Sequence, residues 1–294
     1  METDVLVIGC GPSGIQAAIH ASRRKASVLV VGKPSGSAIH GAELENYFGT
    51  GKVSGEDILS VGITQAEETG ATFVQENVIS AMAKGDSFVF TLDSGTEVIA
   101  RSVVLAMGVA RHNLGVPGEK ELYGKGVSYC AICDCNFYKG RKVVIVGNES
   151  EAAVSAELMT KYASETSWVV WEDGVNQKLV DAALSAGVTI YRSRPERIDG
   201  DGKVETLTLA DGTVLGVDGV FIELGAKSAA DIAMDLGVMP EMDDSIKVGR
   251  DCSTEVPGVF ACGDLVGKPY QVAKAVGEGC VAGTSAAVFV RNGQ

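Results

Sequence analysis

An α/β fold of two Rossmann-like nucleotide-binding domains, each in three ββα layers and the second inserted into the first, is predicted by three features of the sequence. The first is a short apolar strand, Val5 to Ile8, that runs into Gly9-Cys10-Gly11-Pro12-Ser13-Gly14 and then into a helical pattern with Ile15, Ala18 and Ile19 on one face. The second is a recurrence: Lys142 to Val146 is again an apolar strand, followed by Gly147 and a helical pattern from Ser150 to Tyr162. The third is a repeated hairpin signature. Leu92 to Thr96 leads into Val103 to Gly108, and Leu209 to Thr213 leads into Val220 to Gly225, with turn glycine and end glycine thirteen positions apart in both. A chain of 294 residues with 46% apolar content is long enough for two such domains.

In the first glycine motif, Gly9 permits the tight turn, Gly11 lets backbone approach a pyrophosphate, and Gly14 lets helix pack on strand. The second strand, Val28 to Val31, ends in Gly32-Lys33, so no acidic residue marks the ribose contact usual about 20 positions on. Ser35 to Gly49, containing Glu45-Asn46-Tyr47, reads as an irregular loop. A helix around Ile58 to Thr69 and a strand near Thr72 to Gln75 follow. Phe88 to Leu92 and Glu97 to Ile99 then form a hairpin about Asp93-Ser94-Gly95 that feeds the strand Val103 to Leu105. Arg111-His112-Asn113 reads as a crossing between domains. Near the C-terminus, Val256 to Asp264 gives a short strand ending in Gly263-Asp264, whose carboxylate could accept a hydrogen bond from a sugar or ribityl hydroxyl. Tyr270-Gln271 opens an alanine- and glycine-rich helix to about Val290, able to bring its N-terminus close to a ligand. The first domain is thus expected over 1–112 and 246–294, the second over 113–245.

Net charge of -13 and a pI near 4.7 argue against nucleic acid and anionic membrane partners. The first strand leaves no room for a signal peptide, and no apolar run approaches the roughly 20 residues that span a bilayer. The expectation is a soluble, cytoplasmic protein. Seven cysteines, an odd number, fit thiol chemistry better than a disulfide-stapled scaffold.

Early in the second domain lies Gly126 to Gly147, which carries Cys130 and Cys133 spaced C-x-x-C and Asp134 directly after them. The spacing lets two sulfurs close a small ring or open to thiolate and thiol with little backbone movement. Asp134 places a proton-carrying carboxyl beside the pair. Half of a zinc site is the competing reading, but zinc needs about four ligands. The other candidates, Cys10, Cys252, Cys262, Cys280 and three histidines, are scattered. Cys135 reads either as a third exchanging sulfur or as a small buried hydrophobe.

Together these motifs, with Glu45-Asn46-Tyr47 and Gly258 to Asp264 in the same order, resemble the low-molecular-weight thioredoxin reductases and their flavoprotein relatives over nearly the whole chain. The resemblance implies FAD in the first domain, held by Gly9, Gly11, Pro12, Ser13 and Gly14 under the pyrophosphate and by Asn46, Gly263, Asp264 and Gln271 on the flavin side. It implies Cys133 as the sulfur facing the flavin, Cys130 as the one exchanging with a thioredoxin-like protein or a small disulfide or dithiol, and Asp134 as acid-base group. A homodimer with a turning second domain is also implied.

The second domain departs from the family pattern. Gly147-Asn148-Glu149-Ser150 puts Glu149 where a glycine should let backbone touch pyrophosphate, and Glu172-Asp173 stand where NADPH-dependent members place arginines for the 2'-phosphate. Repulsion between like charges a few ångströms apart amounts to about 1 kcal/mol or more in partly screened surroundings. Neither NADPH nor NADH is expected to be an efficient donor. This points to the branch containing ferredoxin-dependent flavin thioredoxin reductases and diflavin-linked disulfide oxidoreductases, with ferredoxin or a second FAD delivering electrons. Arg192, Arg194, Arg197 and Arg141-Lys142 are candidates for a ferredoxin patch; Tyr129, Phe137, Tyr138 and Tyr270 are candidates for a second flavin's surroundings. A dithiol oxidase passing electrons to oxygen and a non-catalytic flavin redox sensor are the alternative functions.

Overall fold

The computed structural model describes residues 1–108, 113–129, 131–224, 228–241 and 245–293, with the backbone alone for Ile132 and Cys133. The chain divides into two compact units, Met1–Ala110 with Ser228–Gln294, and Arg111–Lys227.

The first unit opens with β1 (Glu2–Ile8), α1 (Pro12–Arg23), β2 (Val28–Val31), β3 (Glu43–Leu44), β4 (Val53–Ser54), α2 (Gly55–Glu68) and β5 (Thr72–Val74), then β6 (Val78–Lys84), β7 (Ser87–Leu92) and β8 (Glu97–Leu105). β5, β2, β1 and β8 lie side by side and parallel, and β7 and β6 extend the sheet antiparallel from the first half of β8. The hairpin arm and the following strand, expected as separate pieces, are one continuous β8. The loop around Asn46 is partly ordered by the β3–β4 pair. Alternation along β1 shows why the sheet is covered on both faces: Val5 and Val7 enter one apolar core, Leu6 and Ile8 the other.

The second unit contains β9 (Val127–Ser128), α3 (Ala131–Asp134), β10 (Lys142–Val146), α4 (Ser150–Met159), β11 (Glu165–Val169), α5 (Gln177–Ser185) and β12 (Thr189–Tyr191), followed by β13 (Pro195–Asp199), β14 (Thr206–Leu209), β15 (Val214–Gly216) and β16 (Gly219–Ile222). Its parallel sheet has the order β12-β11-β10-β16-β9, and β13-β14-β15 form a separate antiparallel layer. Val143 and Ile145 face the helices, whereas Val144 and Val146 face the antiparallel layer. The helix expected to reach Tyr162 stops at Met159. The strand expected over Ser167 to Trp171 is Glu165–Val169, because the Trp171 N–H leaves the ladder to bond the Asn148 side chain at 2.9 Å.

The chain then returns to the first unit through α6 (Ala229–Asp235), β17 (Val259–Ala261) and α7 (Val272–Asn292). The expected return at 246 is too late. Ile232, Ala233, Leu236 and Val238 are buried in the same core as Phe90 and Leu105, so the apolar face of α6 ties residues from 228 onward to the first unit. β17 pairs in parallel with Val103 to Leu105, beyond the part of β8 that β7 covers. α7 packs along α1 at backbone contact: a Cβ on Gly279 would lie 2.2 Å from the Ser13 carbonyl oxygen, and one on Gly283 would lie 2.1 Å from that of Ala17. No described helix is long and apolar enough to cross a membrane.

Candidate functional site

The glycine turn of the first unit is built by close approach. Gly9 has φ +116°, and a Cβ there would lie 2.3 Å from the Ala106 carbonyl oxygen; one on Gly14 would lie 1.9 Å from that of Gly9. Gly11 stands at the N-cap of α1 and Pro12 at its first position, with no acidic residue in the first turn. No side chain makes a capping hydrogen bond to the first turn of this helix, which leaves its N–H groups suited to an anion. Ser13 is 5% exposed. It lies against Gly263, where φ is +78° and a Cβ would meet the Ser13 hydroxyl at 2.6 Å. The turn and the Gly263-Asp264 pair, far apart in sequence, thus share one location.

Two more of the predicted residues meet there: the Asn46 side-chain amide donates to Gln271 Oε1 at 3.0 Å, with Gln271 at the N-cap of α7. Sequence reasoning missed the clamp on Gly263. Lys274 Nζ donates to the carbonyls of Gly263 at 2.8 Å and Gly267 at 2.7 Å, and the Gly263 N–H donates to Glu278 Oε2 at 2.9 Å. A Lys and Glu four apart in an otherwise small-residue helix was the available signal. Asp264 is half-buried, and burial raises its carboxyl above the usual range, Lys274 opposing and Glu278 reinforcing. A glycine cradle, an uncapped helix N-terminus and a partly buried acceptor fit the pyrophosphate and polyol of a flavin dinucleotide.

In the second unit, Cys130 lies outside the described residues. Cys133 and Asp134 stand in α3, with the side chain of Cys133 also outside them. Asp134 acts electrostatically on Tyr138, whose phenol is raised by burial first and then by Asp134 and Asp218. Two buried carboxylates not singled out in the sequence flank the motif. Glu119, 1% exposed, accepts from the N–H groups of Leu114 and Gly115 and from the Tyr129 hydroxyl at 2.7 Å. Glu223, 8% exposed, accepts from the Ala131 N–H at 3.1 Å. Cys135 is buried with Val143, Trp168 and Phe221, and bonds Tyr162, so it packs. Burial pushes the Cys10 thiol up to about 11. Burial, with Glu278 and Asp251 adding to it, pushes Cys252 to about 11, and Cys262 is raised further still. These three thiols are poor nucleophiles at neutral pH.

At the nucleotide-type turn of this unit, Gly147 is required by the Glu223 carbonyl oxygen, 1.8 Å from where its Cβ would lie. Asn148 Oδ1 accepts from the N–H groups of Trp171 at 2.9 Å and Glu172 at 3.2 Å, which laces the turn to the end of β11. Glu149 is the N-cap residue of α4. Glu172 and Asp173 pair with Arg194 and Arg192, each at 3.4 Å.

Comparison with known proteins follows the same lines. The sequence model described as pyridine nucleotide-disulphide oxidoreductase matches residues 3–279. Thioredoxin reductase of Listeria innocua is 34% identical, the match covering 98% of this chain and 93% of that protein. Among solved structures, an atypical thioredoxin reductase from Desulfovibrio vulgaris Hildenborough is 31% identical with a TM-score of 0.81, covering 98% of each chain. A ferredoxin-flavin thioredoxin reductase from Clostridium acetobutylicum is 34% identical with a TM-score of 0.66, covering 99% of this chain and 98% of that one.

Proposed function

We propose, from the premise that this chain belongs to the pyridine nucleotide-disulphide oxidoreductase family and is an FAD-dependent disulfide oxidoreductase of the thioredoxin reductase type, that it reduces a thioredoxin-like protein through Cys130 and Cys133 with electrons from a donor other than NADPH or NADH. The observation that carries the donor assignment is the nucleotide-type turn of the second unit. Asn148 spends its carbonyl oxygen on two backbone N–H groups between the turn and β11. Glu149 brings a carboxylate to the N-terminus of α4, where a dinucleotide's phosphates would have to sit. The arginines nearby are engaged by Glu172 and Asp173, so the region offers a phosphate little net positive charge.

When bound, FAD would supply the electron pair needed to reduce the Cys130–Cys133 disulfide. The chain's residues do the remainder. Gly9, Gly11, Pro12, Ser13 and Gly14 would hold the FAD pyrophosphate, and Asn46, Gly263, Asp264 and Gln271 would hold the flavin side. The Cys130 thiolate attacks the substrate disulfide and forms a mixed disulfide, expelling one substrate thiolate. Cys133 then attacks Cys130, which re-forms the enzyme disulfide and releases the second substrate sulfur. Asp134 carries protons to the leaving thiolates. Atoms and charge balance: one enzyme dithiol and one substrate disulfide exchange oxidation states.

An iron-sulfur protein is the donor this reading favours, supported by the likeness to the Clostridium enzyme. The basic residues first suggested for its docking do not form a free cationic surface. Arg141, Lys142, Arg192, Arg194 and Arg197 pair with Asp218, Glu165, Asp173, Glu172 and Asp199 at 2.7 to 3.6 Å. Of the aromatic residues suggested for a second flavin, Tyr138 packs edge-on against Phe221 and Tyr129 is bonded to Glu119. The protein is read as a cytoplasmic homodimer.

The test is anaerobic. NADPH, then NADH, then a reduced ferredoxin are added to the FAD-loaded protein while oxidised flavin absorbance is followed, with dithionite as control. Bleaching by ferredoxin and dithionite alone is expected; rapid bleaching by either nicotinamide overturns the donor assignment. In Cys133→Ser, turnover of the thioredoxin-like substrate should cease, and unchanged turnover would sink the assignment of the pair.

A further inference from the structure

Lys274 is an outlier on its own helix. Gln271 stands at the N-cap of α7 and no acidic residue occupies the first turn, so this cation sits at the positive end of the helix, where positive charge is disfavoured. Its side chain is nonetheless only 17% exposed. Three acceptors meet the three donors of the ammonium: the carbonyls of Gly263 at 2.8 Å and Gly267 at 2.7 Å, and Glu278 Oε2 at 3.0 Å. The two carbonyls bracket the single 3-10 turn Gly263–Val266. Gly263 and Gly267 have φ of +78° and +100°, and glycines are the backbone positions with the most freedom to lose. One side chain ties both, and the half-buried Asp264 lies between them.

We infer that Lys274 is a positioning residue for FAD: by tying both glycines, its ammonium fixes Asp264 and sets how tightly the dinucleotide is held. The inference rests on the reading of Gly263-Asp264 as part of the FAD site. Among the described residues, Lys274 and Glu278, both from α7, are the charged groups that act on the Asp264 carboxyl, Lys274 lowering it against burial and Glu278 raising it. From α1, the uncharged Ser13 lies against Gly263. The adjacent Cys262 thiol, raised by burial, stays neutral near physiological pH. Without the ammonium, burial and Glu278 act together, so the Asp264 carboxyl takes up its proton at a higher pH and becomes a weaker acceptor for a hydroxyl. Lys274 thus holds the acceptor in place and keeps it ionised.

The experiment dialyses the full-length protein to equilibrium against graded FAD between about pH 6 and 8, and reads occupancy as flavin absorbance per mole of protein. The variants are Lys274→Met, Lys274→Arg, Asp264→Ala and the Lys274→Met/Asp264→Ala double. Methionine keeps the apolar stem and removes the charge-assisted bonds, so FAD should bind about tenfold more weakly at the alkaline end. At the acid end the loss should grow by about a further threefold, while wild type holds level. Lys274→Arg keeps a cation with several donors and should restore affinity to within about threefold, with no pH slope. Asp264→Ala should weaken FAD about tenfold, and in the double variant the pH slope should vanish. Should the methionine variant fail to fold, Lys274→Gln, which keeps one donor and loses the charge, is read by the same criteria. Wild-type affinity in the methionine variant, beside a weakened Asp264→Ala, overturns the role of Lys274. So does a loss that is the same at every pH and that arginine does not rescue. Wild-type affinity in Asp264→Ala overturns the reading of Gly263-Asp264 itself, and the inference with it, which separates the two failures.

Discussion

The contact between α1 and α7 allows a prediction in which two glycine-to-alanine changes on one helix have opposite signs. At Gly277 the space around a new Cβ is open to 4 Å, whereas at Gly283 the Cβ would lie 2.1 Å from the Ala17 carbonyl oxygen and 2.7 Å from its Cα. Both positions are inside α7, so both gain the same intrinsic helix preference, about 1 kcal/mol. For Gly277→Ala that gain is the whole effect. For Gly283→Ala the two helix backbones must separate by about 1 Å to restore ordinary contact, and forcing apart a packed interface costs about 1–3 kcal/mol. Since the obstructing atoms are backbone, the upper end applies, leaving a net loss of about 2 kcal/mol. In a unit of this size each kcal/mol corresponds to about 2–4 °C, so Tm should fall by about 4–8 °C in one variant and rise by about 2–4 °C in the other. FAD retention on gel filtration should weaken only for Gly283→Ala, because α7 carries Gln271, Lys274 and Glu278 while α1 carries the glycine turn. A Gly283→Ala protein as stable as Gly277→Ala would refute the claim that backbone contact sets this helix pair.

Other perturbations have equally definite outcomes. Trp168 is 1% exposed and its Nε1 donates to the Gly147 carbonyl at 2.9 Å, so Trp168→Phe should lose about 2–3 kcal/mol in denaturant melts through the lost bond and the space left. Burial raises the Asp4 carboxyl, but hydrogen bonds from Ser27 and the Arg101 guanidinium outweigh it and hold the group below its usual value. Its stabilisation is therefore present above the unfolded pKa and disappears as pH falls through the lowered folded one. Asp4→Asn should cost about 1 kcal/mol at pH 7, a difference that closes below about pH 4 in thermal melts. Glu149→Gly removes about 1 kcal/mol of repulsion, and anaerobic stopped-flow should show NADH bleaching the flavin about fivefold faster than in wild type. An unchanged rate would mean that Glu149 does not exclude the dinucleotide.

Elements whose local sequence and tertiary environment agree were legible before the structure. β1, the turn at Gly9 and α1 are one continuous signal of apolar run, glycines and helical period, and β10 is another. β6 was not seen, because Ile79 to Lys84 mixes small, polar and apolar residues on a strand whose outer face is solvated. α6 was also not seen: seven residues carry too few turns for a period to stand out, and only its packing on the first unit's core shows where the chain crosses back. The predicted cofactor residues are individually recognisable, but the bond between Asn46 and Gln271 spans 225 positions and follows from folding alone. Glu119 and Glu223 read as ordinary charges in sequence. Their significance lies in burial, and for Glu223 in a partner 92 residues away.

The pairing of β17 with β8 and the packing of α7 on α1 also have a consequence for the nascent chain. A ribosome delivers β1 to β8 first, then the whole second unit, and only then the strand and helix that finish the first. Until they emerge, Val103 to Leu105 present an unpaired strand edge and the alanine face of α1 has no cover, surfaces of the kind that chaperones bind and that invite association between neighbouring chains. The inserted unit has all its own strands in hand and can close before its host. Ribosome-bound chains arrested before Val259 should therefore show a protease-resistant second unit inside a protease-sensitive first one, with resistance spreading to the host only once α7 has left the exit tunnel.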